Sequence, residues 1–204
     1  RNIPIRAYRK AEYNHDYEPI NDVVYLAADI KGTDPQNRMK QQTYSCDALL
    51  KSCPAVILTA NQTESPYNQR WKMFYSYLLD HPASEVWLLD GYDVEMLRRP
   101  SIEPGKLYTG CEDALTDSPW MQSNFPDRKE LFEKPTQLLN CGVVGGDYET
   151  VMRFLRMMMD ELSEPLDMGP FNVVARKFDV VTGIQVVTRF KADDRNSVSW
   201  WKHK

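Results

Sequence analysis

The chain has 204 residues, 42% of them hydrophobic and 26% charged, and a formal net charge of -4. These proportions belong to a folded globular protein and exclude a disordered chain. The acidic balance, with no basic block beyond pairs such as Arg98-Arg99 and Arg9-Lys10, argues against a nucleic-acid partner, and no apolar run approaches the roughly 20 residues of a membrane span.

The length suits one large domain. The chain starts at Arg1 without a signal-peptide pattern, and its ending, Trp200-Trp201-Lys202-His203-Lys204, is unlike a solvated tail. A piece excised from a longer chain, with further domains as partners, is the expectation. The compartment stays open between cytoplasm and Golgi lumen. Cys46, Cys53, Cys111 and Cys141 have no zinc spacing. A Cys46–Cys53 disulfide and four reduced thiols are both open readings. Asn61-Gln62-Thr63 matches the glycosylation acceptor pattern, which also arises by chance.

In chain order, residues 1–21 read as an irregular N-terminal arm. Asp22 to Asp29, DVVYLAAD, is a continuous apolar run ended by an acid, as a strand buried on both faces requires. Thr33-Asp34-Pro35 offers a start for a helix over 36–51, which Pro54 stops. Residues 55–59 form a second strand. Trp71, Phe74, Tyr75 and Leu78 recur at helical spacing and predict an amphipathic helix over 68–80. A third strand follows over 85–89. This alternation predicts an α/β fold with a central, mostly parallel sheet flanked by right-handed helical crossovers. Further on, 106–111 reads as a strand. Residues 112–136, with three prolines, read as a long excursion holding at most one short helix around 127–133. Residues 137–147 lead into a helix striped by Val151, Phe154, Leu155, Met158 and Leu162. A short helix over 167–178 and a last strand around Gly183 to Val187 complete the expectation.

The stretch with most chemical content is Glu85 to Met96, EVWLLDGYDVEM. An apolar strand breaks into Asp90-Gly91-Tyr92-Asp93, so two carboxylates emerge at the strand's carboxyl end, where open α/β sheets bind ligands. Two carboxylates offer hard oxygens to a divalent cation, and Gly91 allows a tight turn. The competing reading is an ordinary acidic turn. A metal site needs a third ligand, for which His203 is the candidate among three histidines. The dinucleotide GxGxxG and phosphate GxxxxGK[ST] patterns are absent.

Taken together and in order, these features resemble the nucleotide-sugar glycosyltransferases of the GT-A fold, a Rossmann-like architecture. In that family a strand ends in a DxD-type motif that binds manganese and the donor diphosphate. Leu88-Leu89-Asp90-Gly91-Tyr92-Asp93 is similar to it, with two residues instead of one between the acids. The wider spacing makes Asp93 the firmer ligand and gives Asp90 a place on the ion through water, or on the sugar. Leu139-Asn140-Cys141-Gly142 resembles the segment beside donor sugar and acceptor. Asp167 to Asn172 resembles the acidic opening of the following helix, and Lys202-His203-Lys204 the late histidine that completes the metal site.

The resemblance implies single-domain glycosyl transfer from a UDP- or GDP-sugar to a hydroxyl of a glycan or glycoprotein, with Mn2+ or Mg2+ as cofactor. It implies Asp93, His203 and Asp90 on the metal. It implies Ala27, Ala28, Asp29, Arg70, Asp90, Gly91, Tyr92, Gly142 and Lys204 around the donor. Asp167 is the expected base if the anomeric centre inverts. If it is retained, Asn140 or Asp167 positions the donor sugar instead. The rivals are a sugar-1-phosphate nucleotidyltransferase, for which Asp29-Ile30-Lys31-Gly32-Thr33 is a poor glycine-rich loop, and a carbohydrate-binding or assembly domain without turnover. An aspartate-nucleophile phosphatase is disfavoured by the spacing of Asp90 and Asp93.

Overall fold

A computed structural model describes residues 22–33, 45–189 and 198–203. The expected N-terminal arm, the first part of the helix expected over 36–51, and Lys204 lie outside the described residues. Six strands form one sheet, in the order β2 (Val56–Asn61), β1 (Val23–Lys31), β3 (Glu85–Leu89), β6 (Gln137–Asp147), β5 (Lys106–Leu115) and β7 (Asp179–Val181). β1 pairs in parallel with β2 and β3, and β5 with β7; β6 runs against both its neighbours. The sheet is thus mostly parallel, with β6 alone reversed.

Alternation along β3 explains its unbroken apolar run. Val86 and Leu88 face one side and Trp87 and Leu89 the other, and all four are buried. On the first side pack α2 (Pro66–Asp80), α5 (Tyr148–Glu161) and α6 (Met168–Ala175). The α2 stripe is Trp71, Phe74 and Leu78, and it meets Val151, Phe154, Leu155 and Met158 of α5 and Phe171 of α6.

The second side is covered by α1 (Asp47–Ser52) and by a small sheet of β4 (Val94–Met96), β9 (Trp201–His203) and β8 (Val187–Arg189), ordered β4-β9-β8. Its anchor is an aromatic group. Trp87 lies 5.2 Å from Trp201 and 6.1 Å from both Trp200 and Tyr108, ring centre to ring centre. Trp87 rests on Gly145, where a Cβ would fall 2.3 Å from the indole.

Several expectations need correction. The excursion over 112–136 holds two short helices, α3 (Pro119–Asn124) and α4 (Lys129–Phe132), after β5 has already run to Leu115. Ser118 caps α3 by accepting from Met121 N, a signal the prolines obscured. The strand expected around Gly183 to Val187 is instead a turn, in which Val186 N donates to Gly183 O and Gly183 takes φ +108°; β8 begins at Val187. Trp201–His203, expected only as a non-solvated ending, form strand β9. The four cysteines are free thiols.

Candidate metal centre

Two local features build the centre. β3 ends at Leu89, and the next amide, Asp90 N–H, donates to Gly142 O at 2.8 Å, so the strand stays tied to β6 as it leaves the sheet. The turn then runs through Gly91 and Tyr92 to Asp93, and β4 begins at Val94. Val94 pairs with His203 across the β4–β9 ladder. That single register brings the end of the chain beside the acidic turn, 110 positions away in sequence.

The outcome is a compact donor set. His203 Nε2 lies 3.6 Å from Asp90 Oδ2 and 3.5 Å from Asp93 Oδ1. One ligand atom from each of Asp90, Asp93 and His203 falls within 4.8 Å of the others. Two carboxylate oxygens and an imidazole nitrogen suit a divalent ion such as Mn2+, which accepts both donor types. His203 is 5% exposed. Burial alone would lower its pKa, but Asp90 and Asp93 outweigh that and raise it to about 9. Burial would raise Asp90, yet the Arg70 charge and then His203 hold it down at about 2. The two acids thus favour the protonated, imidazolium form of His203.

Glycines shape the seat. A Cβ at Gly142 would lie 2.2 Å from His203 Cε1 and 2.5 Å from Nε2, so only glycine lets the imidazole lie on β6. Gly142 N donates to Asn140 Oδ1 at 2.7 Å, which fixes that amide. A Cβ at Gly91 would come within 2.9 Å of Cys46 Sγ and 3.4 Å of the Ala27 side chain. The closest approach at Gly91 is thus to the Cys46 side chain ahead of α1, and Gly91 is not among the glycines with positive φ.

The other expected residues fall on two sides of this cluster. Ala27, Ala28 and Asp29 lie in the carboxyl half of β1, which runs on to Lys31. Asp29 accepts from Tyr92 Oη and from Lys31 Nζ, each at 2.7 Å. Those bonds outweigh the opposing effect of burial and lower its pKa. Tyr92 thereby straps the acidic turn to β1. Arg70, on α2, points beneath the cluster. It donates to Asp90, and its Nη2 donates to Asp167 Oδ2 at 2.7 Å and to Cys141 Sγ at 3.1 Å. Asp167, just before α6, also accepts from Trp71 Nε1 at 2.8 Å and is 2% exposed. Its side chain is 3% exposed, against 12% for Arg70 and 31% for Asp90. Cys141 is buried beside these groups, and burial pushes its thiol well above the usual range. Lys202 alternates to the opposite face of β9 from Trp201 and His203.

Sequence reading missed Glu112. Its carboxylate accepts from the Asn140 side-chain amide and from Arg189, whose register partner across β8–β9 is His203. Glu112 thus joins the rim of the centre through Asn140. No pattern around it marks this role, because β5 is irregular there, with register shifts between Thr109 and Gly110 and again between Cys111 and Leu115.

No protein-family model matches the chain, and no curated protein does. Among solved structures it is similar to the crystal structure of a glycosyltransferase involved in the glycosylation of the major capsid of PBCV-1. The TM-score is 0.54 at 11% identity, over 89% of this chain and 92% of that one. The likeness is one of fold. A Rossmann-like α/β architecture carries the Asp90, Asp93 and His203 cluster at the carboxyl end of β3.

Proposed function

We propose that the protein is a glycosyltransferase that moves a sugar from a nucleotide-diphosphate donor, a UDP- or GDP-sugar, to a hydroxyl on a glycan or protein. Asp93, His203 and Asp90 hold Mn2+ or Mg2+. The observation that carries this reading is the convergence of those three side chains at the carboxyl end of β3. The fold shared with a glycosyltransferase supports it.

A divalent ion in this seat supplies Lewis-acid stabilisation of the negative charge that grows on a departing diphosphate. The chain's own residues do the rest. Asp29 and Tyr92, hydrogen-bonded to each other, mark the carboxyl half of β1, Ala27 to Asp29, as the side assigned to the nucleoside. The Asn140 amide, held by Gly142 N and Glu112, is the β6 group assigned to the donor sugar, and Gly142 seats His203 beside it. Gly91 leaves clearance behind the acidic turn for the Cys46 side chain. Lys204, next after His203 in sequence, is assigned to the donor phosphates.

The test is calorimetry with UDP- and GDP-sugars, with and without Mn2+, followed by detection of the released nucleoside diphosphate. Binding of one nucleotide class that requires the metal is expected. Nucleotide-sugar binding that ignores Mn2+, or none at all, would refute the proposal.

A further inference from the structure

The buried guanidinium of Arg70 is a large electrostatic commitment. Its side chain is 12% exposed, and it stands 4.8 Å over the Trp71 ring. Arginine offers five donors in a rigid planar fork, which suits it to holding two carboxylates at once. Here the fork does so. Nε and Nη2 go to Asp167 Oδ2 at 3.2 and 2.7 Å, and Nη1 goes to Asp90 Oδ1. The fork spans from the start of α6 to the end of β3.

The division of the Asp90 carboxylate gives this contact meaning. Oδ1 faces Arg70, while Oδ2 faces His203. We infer that Arg70, anchored by Asp167, is a positioning residue that holds Asp90 with a single oxygen turned toward the metal. The inference rests on the metal-centred reading above. It also gives Asp167 work that fits its burial: its side chain is 3% exposed, against 12% for Arg70. Three carboxylates are then balanced by one guanidinium and a divalent ion, so the loaded centre is neutral.

Coulomb's law makes the geometric role separable. A positive charge beside a metal ligand repels the metal, so Arg70 lowers affinity through charge and raises it only through geometry. Lysine at position 70 keeps the charge and loses the fork. Glutamine loses both.

Mn2+ affinity, followed by electron paramagnetic resonance, and the Co2+ absorption spectrum are measured for the wild type, R70K, R70Q and D167N, with circular dichroism on each. The expected result is Mn2+ binding weakened about 10–100-fold in R70K, the range for groups that orient a ligand. R70Q weakens less, because the repelling charge is gone. The Co2+ spectra of R70K and D167N depart from the wild type as the Asp90 geometry relaxes. If R70K does not fold, D167N decides, since it leaves Arg70 and Asp90 in place and removes the anchor. Wild-type affinity and an unchanged Co2+ spectrum in a folded R70K, or in D167N where R70K is unfolded, would overturn the inference while the metal site stands. Tighter binding in R70Q with R70K unchanged would reduce Arg70 to a charge and overturn it equally. Absence of Mn2+ binding by the wild type would instead overturn the metal reading, and this inference with it.

Discussion

Gly142→Ala isolates the seat of the metal centre. The added Cβ would sit 2.2 Å from His203 Cε1, whereas ordinary contact begins near 3.4 Å, so about 1.2 Å of clearance must be found. β6 cannot give it easily: Gly142 O accepts from Asp90 N at 2.8 Å and Gly142 N donates to Asn140 Oδ1 at 2.7 Å. The imidazole must therefore move. An imidazole nitrogen ligates at about 2.0–2.1 Å, so a displacement of this size exceeds half the bond length. A loss of about 10–100-fold in Mn2+ affinity follows, or about 1.4–2.7 kcal/mol. The assay is calorimetric titration with Mn2+ of G142A beside G110A. In G110A the new Cβ meets Val187 at 3.4 Å and nothing closer, so G110A keeps wild-type affinity. A folded G142A with wild-type affinity would refute the placement of His203 against β6.

Other outcomes follow from the same geometry. Without metal, His203 titrates near 9 against an ordinary 6.5, because Asp90 and Asp93 overcome the effect of burial. Its folded pKa is raised, so its contribution to stability is complete below about pH 6.5 and lost as pH rises through about 9. The metal-free melting temperature should fall across that window, with Mn2+ restoring it most at the alkaline end; H203Q should lack the pH dependence. Mn2+ binding at neutral pH should release a proton, read as a calorimetric enthalpy that varies with buffer ionisation heat. Asp147→Ala removes the N-cap of α5, where Asp147 accepts from Thr150 N at 3.0 Å and from Gly105 N at 2.6 Å. It should cost about 1–2 kcal/mol in denaturant unfolding, with the wild-type metal site intact.

The large sheet was legible because its central strands carry enough residues to show a pattern. β3 buries four apolar residues in succession, and the α2 stripe of Trp71, Phe74 and Leu78 repeats over two turns. The small sheet was not legible. β4, β8 and β9 have three residues each, too few for any period, and they are stabilised by pairing with distant chain. His203 was nominated from its residue type and from the resemblance. What brings it to Asp93 is the Val94–His203 register, which sequence spacing does not encode. Arg70 illustrates the converse. Its helix was read correctly, but its ion pairs with Asp90 and Asp167 lie 20 and 97 positions away, and only the tertiary fold joins them. Gly91 does lie in the turn expected of it, and it also leaves clearance against Cys46 and Ala27, which its sequence neighbours do not reveal.

The central claim is that Asp90, Asp93 and His203 together hold one divalent ion. It is tested most directly by Mn2+ titration of the wild type, Asp93→Asn and His203→Ala, monitored by the loss of the free-ion paramagnetic signal. The account predicts one saturable ion per chain in the wild type, and none in either variant under the same conditions. Saturable binding that survives both substitutions, or no binding by the wild type, would contradict it.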